Sequence, residues 1–335
     1  MTSDRYAFSV ARIRGMETGL LTPSDVERIT RSDLGSLGAV LQELGLVPEG
    51  TDAVDSAALD KALEERLDET LSVLRSMVPE RELFDLFLLR RDVRNIEMIL
   101  KSRAAGVPAG EMTLEESGLF SAEKLKEDVL TDHLELLPDA LKEMTRAAIK
   151  ACEVVDNPFA AVAHTLAREY LLLSLRLAEE KGERWFRAWA GRRIDLHNVG
   201  AFLRAKAEGL PLTDWEASAV AGGETSLLDF RAIWSEPLES LVERFQFTAY
   251  GRLIAQGVTG WKEHGDLIDW ERAKAEFELS ALEGTRTETT FSAGPMLLYW
   301  LRREAETRLV RSVAVAKRLN RSLESVNRMA VKTDA

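Results

Sequence analysis

"DLHNVGAFLRAKAEGLP", residues 195–211, decides the fold, because the chain has already said nearly the same thing in "DVRNIEMILKSRAAGVP", residues 92–108. Asp, Asn, Leu, a basic residue, Gly and Pro recur in register. On a helical wheel of about 100° per residue, positions +1, +4, +7 and +8 from the Asp fall within roughly 120°, the width of one core-facing stripe. They are Val93, Ile96, Ile99 and Leu100 in the first copy, and Leu196, Val199, Phe202 and Leu203 in the second. Gly106 and Gly209 sit where a left-handed cap ends a helix, and Pro108 and Pro211 prevent continuation.

A fainter third copy, "ETRLVRSVAVAKRLNRS", begins at Glu306, with Thr307, Val310, Val313 and Ala314 in the stripe, Lys317 matching Arg103 and Lys206, and Asn320 in the capping place. Spacings of about 103 and 111 residues are too long for the usual helical arrays and indicate a triplicated domain. The boundaries expected are 1–115, 116–222 and 223–335.

Around the repeats, Ala, Leu, Glu, Arg and Lys dominate and alternating β-branched runs are missing, so the class is all-α. Breaks are expected at the Gly-, Pro- and polar-rich stretches after Val47, Gly106 and Pro211 and before Met296. "LLTPSDVERI", from Leu20, reads as a helix start, with Thr22 as N-cap, Pro23 in the first turn and Asp25 at the third position.

Composition narrows function. The chain is 45% apolar and 30% charged, as soluble globular proteins are. Its 56 acidic against 44 basic side chains give a net charge of −12, which opposes a nucleic-acid partner. The lone Cys152 excludes an intramolecular disulfide and fits a reducing cytoplasm. There is no signal sequence at the N-terminus and no apolar run of about 18–20 residues, so no membrane span is expected.

Asp92 and Asp195 lie inside the apolar arc, with Asn95 and Asn198 on its edge; Glu306 holds the acid's place in the third copy. A carboxylate so placed needs hydrogen-bond donors, expected from a neighbouring helix, and the five residues read as structural polar clamps that set helix register. Arg103 and Lys206 point the same way but stand about 16 Å along the axis, too far to serve within the helix. His197, matching Arg94, is assigned to an exposed outer position.

No phosphate loop, dinucleotide fingerprint or HExxH occurs, and the four histidines are scattered. No catalytic residue, cofactor or metal is therefore expected. Trp185 and Trp189, one turn apart, read as packing residues. Near the C-terminus, Arg302, Arg303, Arg308, Arg311, Lys317, Arg318, Arg321, Arg328 and Lys332 face three acids. The first five make a candidate docking face for an acidic partner or anionic headgroups.

"YAFSVARIRGMETGLLTPSDVERI" from Tyr6, "RRDVRNIEMILKSRAAG", "DLHNVGAFLRAKAEGL" and "AGPMLLYWLRREAETRLVRSVAVAKRLNRS" from Ala293 together resemble the C subunits of bacterial and archaeal V/A-type ATPases, whose eukaryotic relative is the d subunit. The resemblance runs from about Tyr6 to Val331. It implies an all-helical funnel of three domains around a pseudo-threefold axis, on the cytoplasmic face of the membrane. It also implies the D and F shaft subunits and the proteolipid ring as partners, and a non-catalytic role coupling rotation to H⁺ or Na⁺ transport. A generic helical adaptor and an all-α enzyme using Asp92 or Asp195 are the alternatives.

Overall fold

The computed structural model describes residues 3–153 and 157–331. Among them the chain is all-helical, with sixteen α-helices, two short 3-10 turns and no strand. In chain order come α1 (Ser3–Glu17), α2 (Pro23–Arg31), α3 (Leu34–Glu43) and α4 (Ser56–Met77), then α5 (Glu82–Ala104), α6 (Ala122–Leu130), α7 (Asp139–Glu153) and α8 (Pro158–Lys181). These are followed by α9 (Arg184–Ala207), α10 (Leu212–Ser218), α11 (Leu227–Ala232), α12 (Glu239–Phe245), α13 (Gly251–His264), α14 (Ile268–Glu283), α15 (Gly294–Arg318) and α16 (Leu323–Met329).

The three copies of the repeat are the C-terminal halves of the long helices α5, α9 and α15. All twelve stripe residues are buried, none more than 7% exposed. The helices end alike. Gly106, Gly209 and Asn320 have φ of 71°, 67° and 49°. In each, the next amide reaches back to close the last turn: Val107 to Ser102 O (2.9 Å), Leu210 to Ala205 O (2.8 Å) and Arg321 to Ala316 O (2.8 Å). This is the Schellman cap, and Asn tolerates it because its short polar side chain admits the left-handed region. Thr22 caps α2 in a reciprocal box with Asp25, whose pKa the Thr22 hydroxyl and amide hold down.

Chain contacts divide into two compact units, residues 1–79 with 245–335, and residues 80–244. The first unit is discontinuous in sequence. In its core, Val310 and Val313 of α15 pack with Leu21, Ile29, Leu37 and Leu41 from the N-terminal segment and Leu59 and Leu63 of α4. In the second unit, Val93, Ile96 and Ile99 of α5 pack with Leu125, Val129, Leu141, Met144, Val162 and Leu166. On α9, Phe202 stacks with Trp215, Phe230 and Trp234, at centroid distances of 6.0, 5.6 and 5.2 Å. Each copy of the repeat thus carries its own cluster.

The break expected after Pro211 instead holds α10. Its polar letters hide one anchor: Trp215 is 1% exposed, and its indole donates to Asn198 O at 3.2 Å. Trp185 and Trp189 are buried with Phe186, and the Arg193 guanidinium lies 4.8 Å from the Trp189 ring centroid. No helix among the described residues is long and apolar enough to cross a membrane.

Candidate functional site

On α5, Asp92 is wholly buried. Its carboxylate accepts the amides of Leu119 (2.9 Å) and Phe120 (3.3 Å), just before Ser121 caps α6. At the other end of α6, Arg103 donates to Val129 O (3.4 Å) and to the Asp132 carboxylate (3.0 Å). The acid and the base are eleven residues apart, about 16 Å, and the nine-residue α6 measures about 13.5 Å. One long helix therefore brackets a short one at both ends.

The second copy repeats the bracket. Asp195, also wholly buried, accepts the amides of Glu224 (2.8 Å) and Thr225 (3.0 Å) and the Thr225 hydroxyl, and Ser226 then caps α11. Lys206 donates to Trp234 O (2.7 Å) and Glu236 O (2.8 Å), where the chain continues past α11 in turns. In the third copy Glu306, 2% exposed, accepts the Leu21 amide (2.6 Å), and Thr22 caps α2. Lys317 donates to Thr30 O (2.7 Å) and to Ser32 O.

The polarity is the same each time. The carboxylate sits at the amino end of the short helix, where amides point outward with partial positive charge, and the cation sits at the carbonyl end. The sequence placed the acids against a neighbouring helix; the donors are instead amides of the turn leading into one, because only there are backbone N–H groups left unpaired by helix formation.

A close approach makes the first two brackets possible. A Cβ on Gly118 would lie 2.0 Å from Asp92 Oδ1, and one on Gly223 would lie 2.1 Å from Asp195 Oδ1. Gly118-Leu119-Phe120-Ser121, Gly223-Glu224-Thr225-Ser226 and Gly19-Leu20-Leu21-Thr22 are one motif, glycine three residues before the capping hydroxyl. The third is looser. A Cβ on Gly19 would meet Arg303 Nη2 at 3.4 Å, and Arg303 donates to Gly19 O (3.0 Å) and to Glu306 (2.7 Å).

Asn95 and Asn198 tie down the strap preceding each turn. Asn95 exchanges two bonds of 2.8 Å with the Glu115 amide and carbonyl, and Asn198 does the same with Val220. The third copy has buried Leu309 in this place.

Electrostatics separate the first copy from the third. Burial raises the Asp92 pKa to about 6, against the downward pull of the Leu119 and Phe120 amides. Glu306 has a cation in contact. Burial lowers Arg66, 3.7 Å away, with the neighbouring Arg303 charge adding to the effect. For Arg303 itself burial works downward, but Glu306 and Tyr299 hold it above its ordinary value.

The basic run of α15 is not one face. Arg302 pairs with Glu283 (3.2 Å) and Glu17 (3.9 Å), Arg311 with Asp60 (2.9 Å) and Glu64, and Arg303 and Lys317 are engaged as above. Arg318 donates to Ala53 O (2.8 Å), and Arg328 pairs with Asp266 (2.8 Å) and Asp269 (2.6 Å). Of the five docking candidates Arg308 alone is exposed; Lys332 lies outside the described residues. His197 is half-buried rather than exposed, its Nε2 2.9 Å from Ser218 O, because the strap crosses it; Arg94 meets the first strap through Glu115 (3.2 Å). Among the described residues no three His, Cys, Asp or Glu side chains lie close enough to hold a metal ion.

The sequence model of the ATP synthase (C/AC39) subunit family matches residues 9–329, a span that contains all three brackets. The chain belongs to this family. Among C/AC39 relatives, the A-type ATP synthase C subunit of Methanothermobacter thermautotrophicus is 26% identical, covering 93% of this chain and 84% of its own length. The V-type sodium ATPase C subunit of Enterococcus hirae is 24% identical over 94% of each chain. The A-type ATP synthase C subunit of Methanocaldococcus jannaschii is 23% identical, covering 97% of this chain and 86% of its own. In this C/AC39 chain the repeated polar residues engage the backbone of the turn beside each short helix and, in the third copy, one another.

Proposed function

We propose that this chain is the coupling between shaft and ring in a rotary ATPase: it receives the D and F subunits, stands on the cytoplasmic face of the proteolipid ring, and passes rotation between them without catalysis. The match across residues 9–329 to the C/AC39 family carries the reading. The brackets support it physically. A coupling has to resist sliding of one helix along another, and each short helix is tied to a long one by bonds to a buried acid just before its amino end and to a cation at or just past its carbonyl end. We assign three modules accordingly: α5 with α6, α9 with α11, and α15 with α2. Divisions at 115/116 and 222/223 would part Asp92 from Leu119 and Asp195 from Glu224, so the module limits follow the brackets instead.

The test is ion pumping by ATPase membranes stripped of this protein. Adding the chain back is expected to restore ATP-driven pumping and leave ATP hydrolysis by the detached head unchanged. A chain that binds neither shaft nor ring overturns the reading. Replacing Asp195 with Asn tests the enzymatic alternative: a well-folded variant that has lost a chemical activity would support it, and lost folding supports the bracket.

A further inference from the structure

The three long helices share a stripe on their outward side, at positions +2, +9 and +13 of the repeat. In α5 it reads Arg94, Lys101, Ala105, and in α9 His197, Arg204, Glu208. In α15 it reads Arg308, Val315, Leu319. Only the third copy turns two successive outward positions into large apolar groups, with Val315 48% and Leu319 62% exposed. Seven and eleven residues bring the helix back to within about 20° of its starting direction, so the three side chains stand in line over about 16 Å.

The cover differs as well. In the first two copies the +2 residue is met by the strap that Asn95 or Asn198 ties down, through Glu115 and Ser218. The third copy has no asparagine there, and Arg308 makes no hydrogen bond or ion pair among the described residues. Glu304, one turn before it, is half-buried and has a partner of its own. Past Leu319 the chain turns at Asn320 and leaves Arg321 exposed. A line of two exposed apolar groups headed by the exposed Arg308, which has no partner among the described residues, is complementary to an amphipathic surface that carries an acid.

We propose that the outward stripe Arg308–Val315–Leu319 of α15 docks an amphipathic helix of a partner protein, one that sets a carboxylate against Arg308 and apolar side chains against Val315 and Leu319. The spacing on the partner is then an acid with apolar residues seven and eleven positions from it, read in either direction. This rests on the coupling reading in one respect only: the partner is sought within the assembled ATPase.

The experiment places a benzoylphenylalanine photocrosslinker at Val315, Leu319, Lys101 or Arg204 and adds each protein back to stripped membranes. Adducts are expected from 315 and 319 to a helical segment with the acid–apolar spacing, and not to that segment from 101 or 204. Adducts to lipid, to a segment without the acid, or equally from all four positions overturn the inference.

Independently, Val315→Glu with Leu319→Glu is expected to leave thermal unfolding unchanged and to weaken rebinding on the order of tenfold or more. Arg308→Ala is expected to flatten the salt dependence of rebinding. If wild-type chain restores neither binding nor pumping, the coupling reading falls. If wild type and the double variant restore both equally, this inference alone falls.

Discussion

Replacing Gly223 with alanine puts a methyl group into the second bracket. The new Cβ would stand 2.1 Å from Asp195 Oδ1, 2.6 Å from Cγ and 3.0 Å from Oδ2. All three atoms belong to a short side chain anchored on α9 and wholly buried, so relief has two routes. Either the carboxylate rotates off the Glu224 and Thr225 donors, each bond to a charged acceptor being worth about 1.5–3 kcal/mol, or the 222–225 turn lifts and leaves them stranded. Overpacking of a filled site costs about 1–3 kcal/mol by itself. A loss of about 2–4 kcal/mol follows, lowering the urea midpoint by about 1–2 M. Four of the seven tryptophans, Trp185, Trp189, Trp215 and Trp234, lie in this unit, so fluorescence follows it.

Gly191→Ala is the matched control. Its Cβ would meet Gly222 O at 3.7 Å, ordinary contact, and it lies within a helix, so a gain of about 0.5–1 kcal/mol is expected. With Asp195 already changed to Ala, the Gly223→Ala cost should shrink by about 1–3 kcal/mol. Equal effects of the two glycine changes, or a Gly223→Ala cost indifferent to Asp195, would refute the reasoning.

Three further outcomes are expected. With its pKa raised from 3.8 to about 6, Asp92 holds a proton in the folded chain that the unfolded chain releases. Its contribution to stability is full below about pH 4 and lost as pH rises through 6. The stability difference between wild type and Asp92→Asn should therefore decline across that window in pH-resolved urea unfolding, and a constant difference would contradict it. Arg303→Ala leaves Glu306 buried with Arg66 3.7 Å away and should cost about 3–5 kcal/mol in thermal unfolding, partly recovered by Glu306→Gln. Lys206→Met strips Trp234 O and Glu236 O of their donor and should cost about 1–2 kcal/mol, whereas Lys206→Arg, the residue type at position 103, should stay within about 0.5 kcal/mol.

The long helices were legible because their signals are local: a stripe of period 3.6, a left-handed cap and a proline lie within seventeen letters. The buried acids were legible too, since an Asp inside an apolar arc is a contradiction that packing has to resolve. Their donors were not. Leu119 is 27 residues from Asp92, and Leu21 is 285 from Glu306, toward the other end of the chain. Periodicity carries no information across such distances. Yet "GLFS", "GETS" and "GLLT" stood in the sequence as a second threefold motif, and pairing them with the acids would have found every bracket. His197 misled because the wheel shows a helix alone and cannot show the strap laid over it. The basic run misled for a related reason: charge counts do not reveal which cations the fold has already taken.

The Glu306–Leu21 bond also bears on how the molecule is made. Residues 80–244 are continuous, so that unit can close while the chain is still being synthesised. Its companion cannot, because α2 waits for a helix translated 285 residues later. At about 5–20 residues per second that is an interval of about 15–60 s in which Leu21, Ile29, Leu37 and Leu41 have no Val310 or Val313 to cover them. Until α15 arrives, those residues offer chaperones and proteases an apolar surface that the folded chain hides.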